Sequence, residues 1–532
     1  MQGKVLIANR GEIAIRIMEA CQALGLDFAV IYTEADRDSE HVQRCQLKGP
    51  DQNAWRVISY TDPNDLLAVA DHAGCTAVHP GYGFFSEDWR FARRVTVRDR
   101  PLTFIGPSWE VIRDLGDKIN TKRIAQKLDI PTIPGTSAPI YNEMEAEEIA
   151  QHILDIQREQ KEPNPAILVK AAAGGGGMGI EEVSRIEQFR RVYRQVQNYA
   201  KRQFGDGGVL IEQRLCDFNH LEVQLVCSRH DERIHFGTRN CTIQSTGRQK
   251  RVEAAPGFHA SCFNYDFDAE QVLDSVVEHS LKLADYVKYD NVGTWEWIVS
   301  RSGRPYLLEV NTRIQVENDV SARISYLNGK HPNLLQEQIR LALGEPMGYE
   351  QNDVVFKGAS IELRLVAENP ARDFAPWIGT ITRFDLPRYE WSAIYSHGPS
   401  DRHYPIPSEY DPNLALALGS RLLDETTTSG GRAARALPTI SLATVALFSY
   451  TTQVPTRREA SAWRASQINP PVGGAKKGQA ARYPCKRGCF LQIDGRAALL
   501  WTQGNVPMSG GKDFFKEGKG IPSPTYLPSI SR

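Results

Sequence analysis

The segment Gly293-Thr294-Trp295-Glu296-Trp297-Ile298-Val299 is followed, after the dipeptide Ser302-Gly303, by Tyr306-Leu307-Leu308-Glu309-Val310-Asn311. In both segments apolar and polar residues alternate, which predicts two antiparallel strands joined by a hairpin turn. A turn centred on Ser302-Gly303 would bring the carboxylates of the two strands opposite each other. The pairing of these two strands decides how the surrounding sheet is built.

The predicted hairpin pairs Glu296 with Glu309 and Thr294 with Asn311 on one face of the sheet. Like charges directly opposite each other are unfavourable in a sheet unless a cation lies between them. Two carboxylates and a side-chain carbonyl suit Mg²⁺ that bridges substrate phosphates. The sequence therefore predicts a metal site from Glu296, Glu309 and Asn311, and a solvated pair on an edge hairpin is the alternative.

The polar alternation continues beyond the hairpin. Arg313, Gln315 and Glu317 follow Glu309 and Asn311 at a spacing of two residues. If this segment is extended, all five side chains line one face. An arginine that holds an anion and a glutamate that moves a proton would then lie beside the metal ligands. A solvated strand face would show the same pattern, but its continuity with the carboxylate pair favours a reaction surface.

A glycine-rich loop, Ala171–Gly179, follows a predicted strand that ends in Lys170. Glycines allow backbone N–H groups to approach phosphate oxygens closely. The spacing fits neither the Walker loop nor the dinucleotide fingerprint, and a glycine run by itself is typical of a flexible linker. Because a second strand follows at Ile180–Val183, we favour a hairpin that closes over a phosphate with Lys170 at its base.

The N-terminal part alternates strands and helices, which predicts a doubly wound parallel sheet over residues 1–130. A Pro-broken stretch then leads into a small lid unit, residues 131–208. The third unit, residues 209–425, contains many alternating strands and long helices, which is typical of a mostly antiparallel α+β sheet. Residues 426–532 are expected to form a separate tail.

The tail differs from the rest in composition. It carries 15 Lys/Arg against 4 Asp/Glu, whereas the remaining residues carry 48 against 60. Glycine and proline are scattered through it without apolar periodicity. It is interpreted as a product of a shifted reading frame, as a disordered extension attracted to the acidic body, or as a folded nucleic-acid-binding segment. The sparse aromatic residues disfavour the last interpretation.

The composition of the whole chain indicates which partners and which cellular compartment to expect. The chain has 532 residues and a formal net charge of −1, which gives no reason to expect nucleic acid or an anionic membrane as partner. Nine scattered cysteines without a Cys-x-x-Cys pair, and an N-terminus that enters a strand without a signal-like segment, predict a reduced, soluble protein of the cytoplasm.

Several motifs together resemble one enzyme family. The segment Glu309–Glu317 resembles the signature shared by biotin carboxylases and carbamoyl phosphate synthetases. Further segments narrow the resemblance to biotin carboxylases over roughly residues 3–419: Ile7–Ala14, His79–Phe84, Gly116–Lys118 and Gln249–Lys250. The resemblance implies an ATP-grasp fold and a ligase that forms a C–N bond.

The resemblance also implies roles for individual residues. ATP would be bound by Lys118, Lys170, Gly174, Gly175, Gly176, Gly177, Gly179, Glu212, Leu215, His220 and Gln244. Metal ions, Mg²⁺ or Mn²⁺, would be held by Glu296, Glu309 and Asn311. Bicarbonate would be held by Lys250, Arg313, Gln315 and the amide of Val316, and biotin would lie beside Tyr82 and Arg364.

In this reading Glu317 is the general base that deprotonates bicarbonate, so that attack on ATP gives carboxyphosphate. Arg364 stabilises the biotin enolate, and the catalytic set is Glu317, Arg313, Lys250 and Arg364. The sequence departs from the family pattern at a few positions, such as Gln213 in place of a usual lysine and Asn318 in place of a common histidine. None of these removes a group assigned to bond making.

The printed sequence contains no Met-Lys-Met biotinylation motif. We therefore expect a separate biotin carboxyl carrier protein, carboxyltransferase subunits as further partners, and a homodimer. The complete complex would be an acyl-CoA carboxylase, with acetyl-CoA and fatty acid synthesis as one candidate role. Two other hypotheses remain at this point: another ATP-grasp ligase, and a catalytically silent relative that acts as a scaffold.

Overall fold

The structure is a computed structural model. It describes residues 3–46, 53–159, 162, 164–172, 179–244, 250–258, 265–369, 375–377, 379–385, 392–398, 404–406, 410, 413–421, 490–493 and 496–499.

The N-terminal part is built on a parallel five-stranded sheet with helices on both faces. Its strands are β1 (Lys4–Ile7), β2 (Asp27–Tyr32), β3 (Ala54–Arg56), β4 (Ala77–His79) and β5 (Thr103–Phe104), in the order β3-β2-β1-β4-β5. Its helices are α1 (Gly11–Ala23), α2 (Glu40–Gln46), α3 (Pro63–His72), α4 (Trp89–Thr96), α5 (Trp109–Gly116) and α6 (Lys118–Lys127), with a short 3₁₀ turn at Glu34–Asp36. The doubly wound parallel sheet predicted from the sequence is confirmed.

A small three-stranded sheet follows. It contains β6 (Ile167–Ala171), β7 (Ile180–Val183) and β8 (Val209–Gln213) in the order β7-β6-β8. Helices α7 (Glu143–Glu159) and α8 (Phe189–Phe204) pack on it, and α8 is preceded by a 3₁₀ turn at Ile186–Gln188. The strand at Val209, which the sequence analysis placed at the start of the third unit, pairs with β6 of this sheet.

The C-terminal part is an antiparallel eight-stranded sheet in the order β13-β12-β9-β10-β11-β16-β22-β20. Its strands are β9 (Asn219–Cys227), β10 (Arg233–Gln244), β11 (Lys250–Ala255), β12 (Asn291–Val299), β13 (Pro305–Asn311), β16 (Ala359–Val366), β20 (Ser392–Ser396) and β22 (Asn413–Arg421). Its helices are α9 (Ala269–Tyr286), α10 (Asn318–Ala322) and α11 (Leu334–Ala342), with a 3₁₀ turn at Gln351–Asp353. The mostly antiparallel sheet expected for this part is confirmed.

Short strands form three further sheets. One pairs β14 (Ser325–Leu327) with β15 (Val354–Phe356), and another pairs β17 (Glu368–Asn369) with β18 (Ala375–Pro376). The third has the order β21-β19-β23-β24 and consists of β19 (Thr380–Asp385), β21 (Tyr404–Pro405), β23 (Phe490–Ile493) and β24 (Arg496–Leu499). The last two are the described strands of the tail, and the other tail residues lie outside the described ranges.

The two faces of the eight-stranded sheet differ in chemistry because side chains alternate along each strand. On β9 the apolar Leu221, Val223 and Leu225 pack in the core under α9, together with Trp295 and Trp297 of β12. The residues between them are polar and also buried: His220, Glu222, Gln224, Thr294 and Glu296. One face therefore forms a core, and the other presents a buried polar surface.

A second core joins the parallel and antiparallel parts. Ile13 and Ile17 of α1 lie in one apolar cluster with Val226 of β9, with Ile314, which precedes α10, and with Ile339 of α11. The cluster fixes the N-terminal sheet against the end of the polar surface. Within the described ranges, no helix combines the length and the apolar character needed to span a bilayer.

The mutation Trp297→Ala should lower the free energy of unfolding by about 3–5 kcal/mol, because it leaves a cavity under α9. Trp297 is fully buried, and its indole N–H donates to Ser280 Oγ over 3.0 Å. Denaturant titration measures the change. The matched control Ile58→Ala, at a side chain that is 86% exposed, should stay within about 0.5 kcal/mol of the wild type.

Candidate active site

The centre of the polar surface is the amino group of Lys250, the first residue of β11. Lys250 Nζ donates to Glu222, to Glu296 Oε1 at 2.8 Å and to Glu317 Oε1 at 3.1 Å. The three carboxylates come from β9, from β12 and from the turn before α10. We call Lys250, Glu222, Glu296 and Glu317 the Lys250 cluster. It brings together residues that are far apart in the chain.

The charges of the cluster shift the pKa values of its members. Burial by itself would raise the pKa of Glu317, but Lys250, Arg364 and Arg239 outweigh burial and hold this pKa below its ordinary value. Burial likewise opposes ionisation of Glu296, whose pKa is nevertheless held low by Lys250 and His220. The surrounding carboxylates raise the pKa of Lys250 although burial acts in the other direction. Lys250, Glu296 and Glu317 are therefore ionised in this state.

Arg239 of β10 supports the cluster from within the sheet. Its fully buried guanidinium donates from Nε to Glu222 Oε2 over 2.8 Å and from a terminal nitrogen to Gln224 Oε1 over 2.8 Å. The other terminal nitrogen donates to Gln315 Oε1 over 2.5 Å. A buried arginine whose donors are satisfied in this way orients both Glu222 and Gln315.

The predicted pairing of the two carboxylates is confirmed, although the turn differs from the prediction. Glu296 lies opposite Glu309 and Thr294 opposite Asn311, whereas Trp297 lies opposite Leu307. Leu308 is thus an extra residue, a β-bulge in β13. The turn closes with Ser300 N donating to Arg304 O, with Gly303 at φ +80°, and not at a two-residue Ser302-Gly303 turn. The bulge compensates for the longer turn.

The predicted metal ligands offer oxygen atoms, but these atoms interact with nitrogen donors of the protein. Glu309 Oε2 pairs with Lys118 Nζ at 2.5 Å, and Asn311 Nδ2 donates to Glu296 Oε1 over 2.6 Å. Oxygen ligands on facing strands fit a hard cation such as Mg²⁺. Among the described residues, Glu296 forms a close group of potential metal-ligand atoms with His220 and Glu222. The set Glu296, Glu309 and Asn311 remains a prediction.

The segment from Glu309 to Glu317 is extended only as far as Asn311. Strand β13 ends at Asn311, and the chain turns before α10 begins at Asn318. The polar side chains still converge, because Gln315 Nε2 donates to Glu296 Oε1 over 3.1 Å and Glu317 reaches Lys250. The turn, and not a regular alternation, brings Glu317 into the cluster.

Three lysines lie along the edge of the polar surface: Lys118 and Lys122 of α6, and Lys170 of β6. Both Lys170 and Lys122 pair with the carboxylate of Glu212, the latter at 3.3 Å. Lys122 was not predicted, although its position four residues after Lys118 places both on one face of α6. Burial lowers the pKa of Lys122, and Glu212 opposes this only partly.

Arg364 of β16 reaches the cluster from the far side. It donates from Nε to Glu253 Oε1 over 2.7 Å and from a terminal nitrogen to Glu317 Oε2 over 3.0 Å. Arg313 lies on the opposite side, with Nε 3.0 Å from Glu87 Oε2 and a terminal nitrogen that donates to Asn311 Oδ1 over 3.1 Å. Two guanidinium groups thus flank the cluster.

Tyr82 lies beside Glu12 and Val316. Its hydroxyl donates to the buried Glu12, and its ring packs against an apolar group that includes Val316 and Leu418. The carbonyl of Val316 accepts a hydrogen bond from Arg16 over 3.3 Å. The structure places Tyr82 and Val316 beside each other at the base of the site.

His220 and Gln244 interact with each other, since Gln244 Nε2 lies 3.0 Å from His220 Nδ1. His220 Nε2 is 2.9 Å from Glu296 Oε2, which fits a proton on Nε2. Leu215 follows β8 and lines a surface cavity with Cys216. Gly179 has φ +70°, where glycine is favoured, while Gly174, Gly175, Gly176 and Gly177 lie outside the described residues.

Sequence reasoning missed several charged residues of the site. They are Glu87, Lys122, Glu222, Arg239 and Glu253. For Glu222 a signal existed, because it lies between His220 and Gln224 in a strand with strict alternation. For Arg239 and Glu253 the partners lie on other strands, and the sequence gives no signal that joins them.

The comparisons with known proteins agree with this geometry. Residues 1–112 match the model described as "Biotin carboxylase, N-terminal domain", and residues 117–349 match "Carbamoyl-phosphate synthase L chain, ATP binding domain". The biotin carboxylase of Nostoc sp. is 36% identical over 408 residues, which is 77% of this chain and 85% of the relative. The 2-oxoglutarate carboxylase small subunit of Hydrogenobacter thermophilus is 35% identical over 420 residues, 78% of this chain and 82% of the relative.

A solved structure is also similar. The biotin carboxylase domain dimer of the Hydrogenobacter thermophilus 2-oxoglutarate carboxylase, in complex with MgADP, ADP and bicarbonate, has a TM-score of 0.68 and 34% sequence identity. The match covers 79% of this chain and 86% of that chain. The ATP-grasp fold expected from the sequence is confirmed.

The mutation Lys122→Met should raise the KM for ATP between about threefold and tenfold. Without Lys122, the charge of Glu212 is compensated by Lys170 alone, which is then less available to a phosphate. Steady-state kinetics with varied ATP measure the change. The control Lys127→Met, on the same helix but beside Tyr286, should leave the KM within about twofold, and an equal effect of both changes would contradict the assignment.

Proposed function

The chain belongs to the biotin carboxylase family, whose reaction is the ATP-dependent carboxylation of biotin, and we propose that it carboxylates biotin held on a separate carrier protein. It is a ligase that forms a C–N bond. The observation that carries the proposal is the position of Glu317 between Lys250 and Arg364, with Oε1 at 3.1 Å and Oε2 at 3.0 Å from the two cations. A carboxylate between two cations is arranged to act on an anion that both cations attract.

We propose that bicarbonate is the carbon source and that its anion displaces part of this network. Lys250, Arg313, Gln315 and the amide of Val316 would bind it. Once bicarbonate and biotin engage Lys250 and Arg364, these cations compensate Glu317 less, and its pKa rises towards its ordinary value. Glu317 then becomes a better base and accepts the bicarbonate proton. The deprotonated oxygen attacks the γ-phosphate of ATP, the bond to the β-phosphate oxygen breaks, and carboxyphosphate and ADP are formed.

The positions of three lysines, Lys118, Lys122 and Lys170, support the proposal for ATP. Lys118 and Lys170 would exchange their carboxylate partners for phosphate oxygens, and the glycine loop after β6 would close over them. Leu215 and Glu212 would lie beside the adenine, and His220 and Gln244 beside the ribose. Closure excludes water, which would otherwise hydrolyse carboxyphosphate.

Glu296, Glu309 and Asn311 would hold Mg²⁺ or Mn²⁺, which supplies positive charge to the phosphates when bound. The residues of the chain prepare this site, since Lys118 and Lys250 already compensate Glu309 and Glu296. With a metal ion bound there, Lys118 would be available to phosphate oxygens and Lys250 to bicarbonate.

Biotin would lie near Tyr82 and Arg364. Carboxyphosphate would break down to CO₂ and phosphate, the phosphate would accept the N–H proton of the ureido group, and the guanidinium of Arg364 would stabilise the resulting enolate, whose nitrogen then bonds to CO₂. The absence of a Met-Lys-Met motif from the printed sequence supports a carrier on another chain. A carboxyltransferase would complete the complex, and a homodimer is proposed because the similar solved structure is a dimer. The cytoplasm is the compartment we propose, on the basis of the scattered cysteines.

For the final acceptor we propose an acyl-CoA, with acetyl-CoA, and hence fatty acid synthesis, as the first candidate. The acceptor is bound by the carboxyltransferase, so the site described above does not select it. One relative is named for 2-oxoglutarate, which makes this acid the second candidate. Carboxylation of each acceptor by the reconstituted complex separates the two.

The decisive experiment measures ADP release with ATP, Mg²⁺ and bicarbonate, with and without free biotin. A biotin carboxylase releases ADP faster when biotin is present. Release that depends on bicarbonate but not on biotin would indicate another ATP-grasp ligase. Binding of ATP without any ADP release would indicate a silent scaffold.

The mutation Glu317→Gln should lower biotin-dependent turnover about 10²–10⁴-fold while ATP still binds, because it removes the proton acceptor. Turnover is followed by ADP release and ATP affinity by direct titration. The control Glu345→Gln changes a carboxylate that pairs with Arg340 at the surface and should keep wild-type turnover. Turnover of Glu317→Gln close to the wild-type value would refute the role of Glu317.

A further inference from the structure

Two glutamates face each other directly beside Arg364. Glu253 of β11 and Glu362 of β16 are partners in the antiparallel register. Side chains at opposed positions point to the same face, with Cβ atoms about 4.5–5.5 Å apart. Both side chains are fully buried. The sheet therefore holds two carboxyl groups close together without contact with solvent.

The hydrogen bonds of the pair are unequal. Glu253 Oε1 accepts a hydrogen bond from Arg364 Nε over 2.7 Å. Among the described residues, no hydrogen-bond donor reaches Glu253 Oε2 or either carboxyl oxygen of Glu362. An ionised carboxylate without donors is among the least favourable groups to bury. A protonated carboxyl group has its own donor, and the facing oxygen of Glu253 is an acceptor.

The surrounding charges do not neutralise two anions. Arg364, on the same strand as Glu362, is shared with Glu317. From α1, Arg16 contributes positive charge, but it lies within 3.5 Å of Glu12 and so is already paired. On the other flank, β22 places the apolar Leu418 opposite Glu362.

We propose that Glu253 and Glu362 share a single proton at neutral pH, which resides on Glu362 and is donated to Glu253, and that this neutral carboxyl group positions Arg364. With Glu362 uncharged, the guanidinium is held by Glu253 and Glu317 and is not drawn towards a third anion. Glu253 and Glu362 are thus positioning residues, and their link to biotin rests on the proposed role of Arg364.

The pKa directions agree with the geometry. Burial, and next the charge of Glu253, raise the pKa of Glu362 well above its ordinary value. Burial raises the pKa of Glu253 to about 7, although Arg364 opposes the shift. Of the two, Glu253 has the cation Arg364 and therefore loses its proton at the lower pH. Two carboxyl groups with one proton between them are a known consequence of such proximity.

A proton held on Glu362 makes stability depend on pH. In the folded state Glu362 keeps its proton, whereas in the unfolded chain it loses the proton above its ordinary pKa of 4.5. The folded state then binds one more proton than the unfolded state, so this group lowers stability as the pH rises. Glu362→Gln replaces the protonated carboxyl by a neutral group of the same shape that cannot titrate.

The first test compares thermal unfolding midpoints of the wild type and Glu362→Gln between about pH 5 and pH 8. We expect the variant to have the higher midpoint, with a gap that widens as the pH rises. At equilibrium the ratio of folded to unfolded protein should change by about tenfold per pH unit relative to the variant. The control Glu345→Gln, at a surface ion pair, should show no such widening. A gap that is constant or narrows with rising pH would overturn the proposal.

The second test uses infrared spectroscopy of the nucleotide-free enzyme. We expect the absorption of a protonated carboxyl group at neutral pH in the wild type and its loss in Glu362→Gln. If the band is lost in Glu253→Gln and kept in Glu362→Gln, the proton resides on Glu253 and the proposal is wrong.

The third test concerns Arg364. Glu253→Gln should raise the KM for biotin at least about tenfold and leave the KM for ATP unchanged, because Arg364 loses its buried partner. Glu362→Gln should raise the KM for biotin less than Glu253→Gln does. Equal effects of both variants would overturn the positioning role. An inactive wild type would count against the proposed function, whereas the first two tests would still decide where the proton lies.

Discussion

Three carboxylates from three separate elements, those of Glu222, Glu296 and Glu317, are buried side by side and share the amino group of Lys250. Without this shared cation their mutual repulsion would add to the loss of hydration, which costs several kcal/mol per buried ion. Lys250 therefore holds β9, β12 and the turn before α10 in one arrangement. Replacing such a cluster by apolar residues often gives an equally stable protein, so stability does not explain the cluster. The role we propose for it does, because the same groups would bind anions and move a proton.

The layers of the fold could be predicted from local patterns. Strands and helices alternate in the N-terminal part, and strict alternation in β9 and β12 separates an apolar face under α9 from a polar face. These patterns depend on side-chain direction within a single strand, so the sequence contains them. The pairing of Glu296 with Glu309 could be predicted in the same way. The turn could not, because a bulge depends on the packing of both strands.

The remaining parts of the site depend on contacts between distant elements. Nothing near Arg239 in the sequence indicates that its guanidinium will hold both Glu222 and Gln315. The segment after Asn311 looked extended because its polar residues alternate, but α10 begins at Asn318 and forces a turn. Local alternation thus identified the participants, such as Glu317, whereas tertiary packing determined how they reach one another.

The bulge at Leu308 lies between the hairpin turn and the paired carboxylates. The turn and the outer half of the hairpin follow one register, and the inner half, with Glu296 and Glu309, follows another. A change of turn length can therefore be absorbed at the bulge before it reaches the inner pairs. In evolutionary terms, this register predicts that the outer loop can change in length while the pairing of Glu296 with Glu309 is kept.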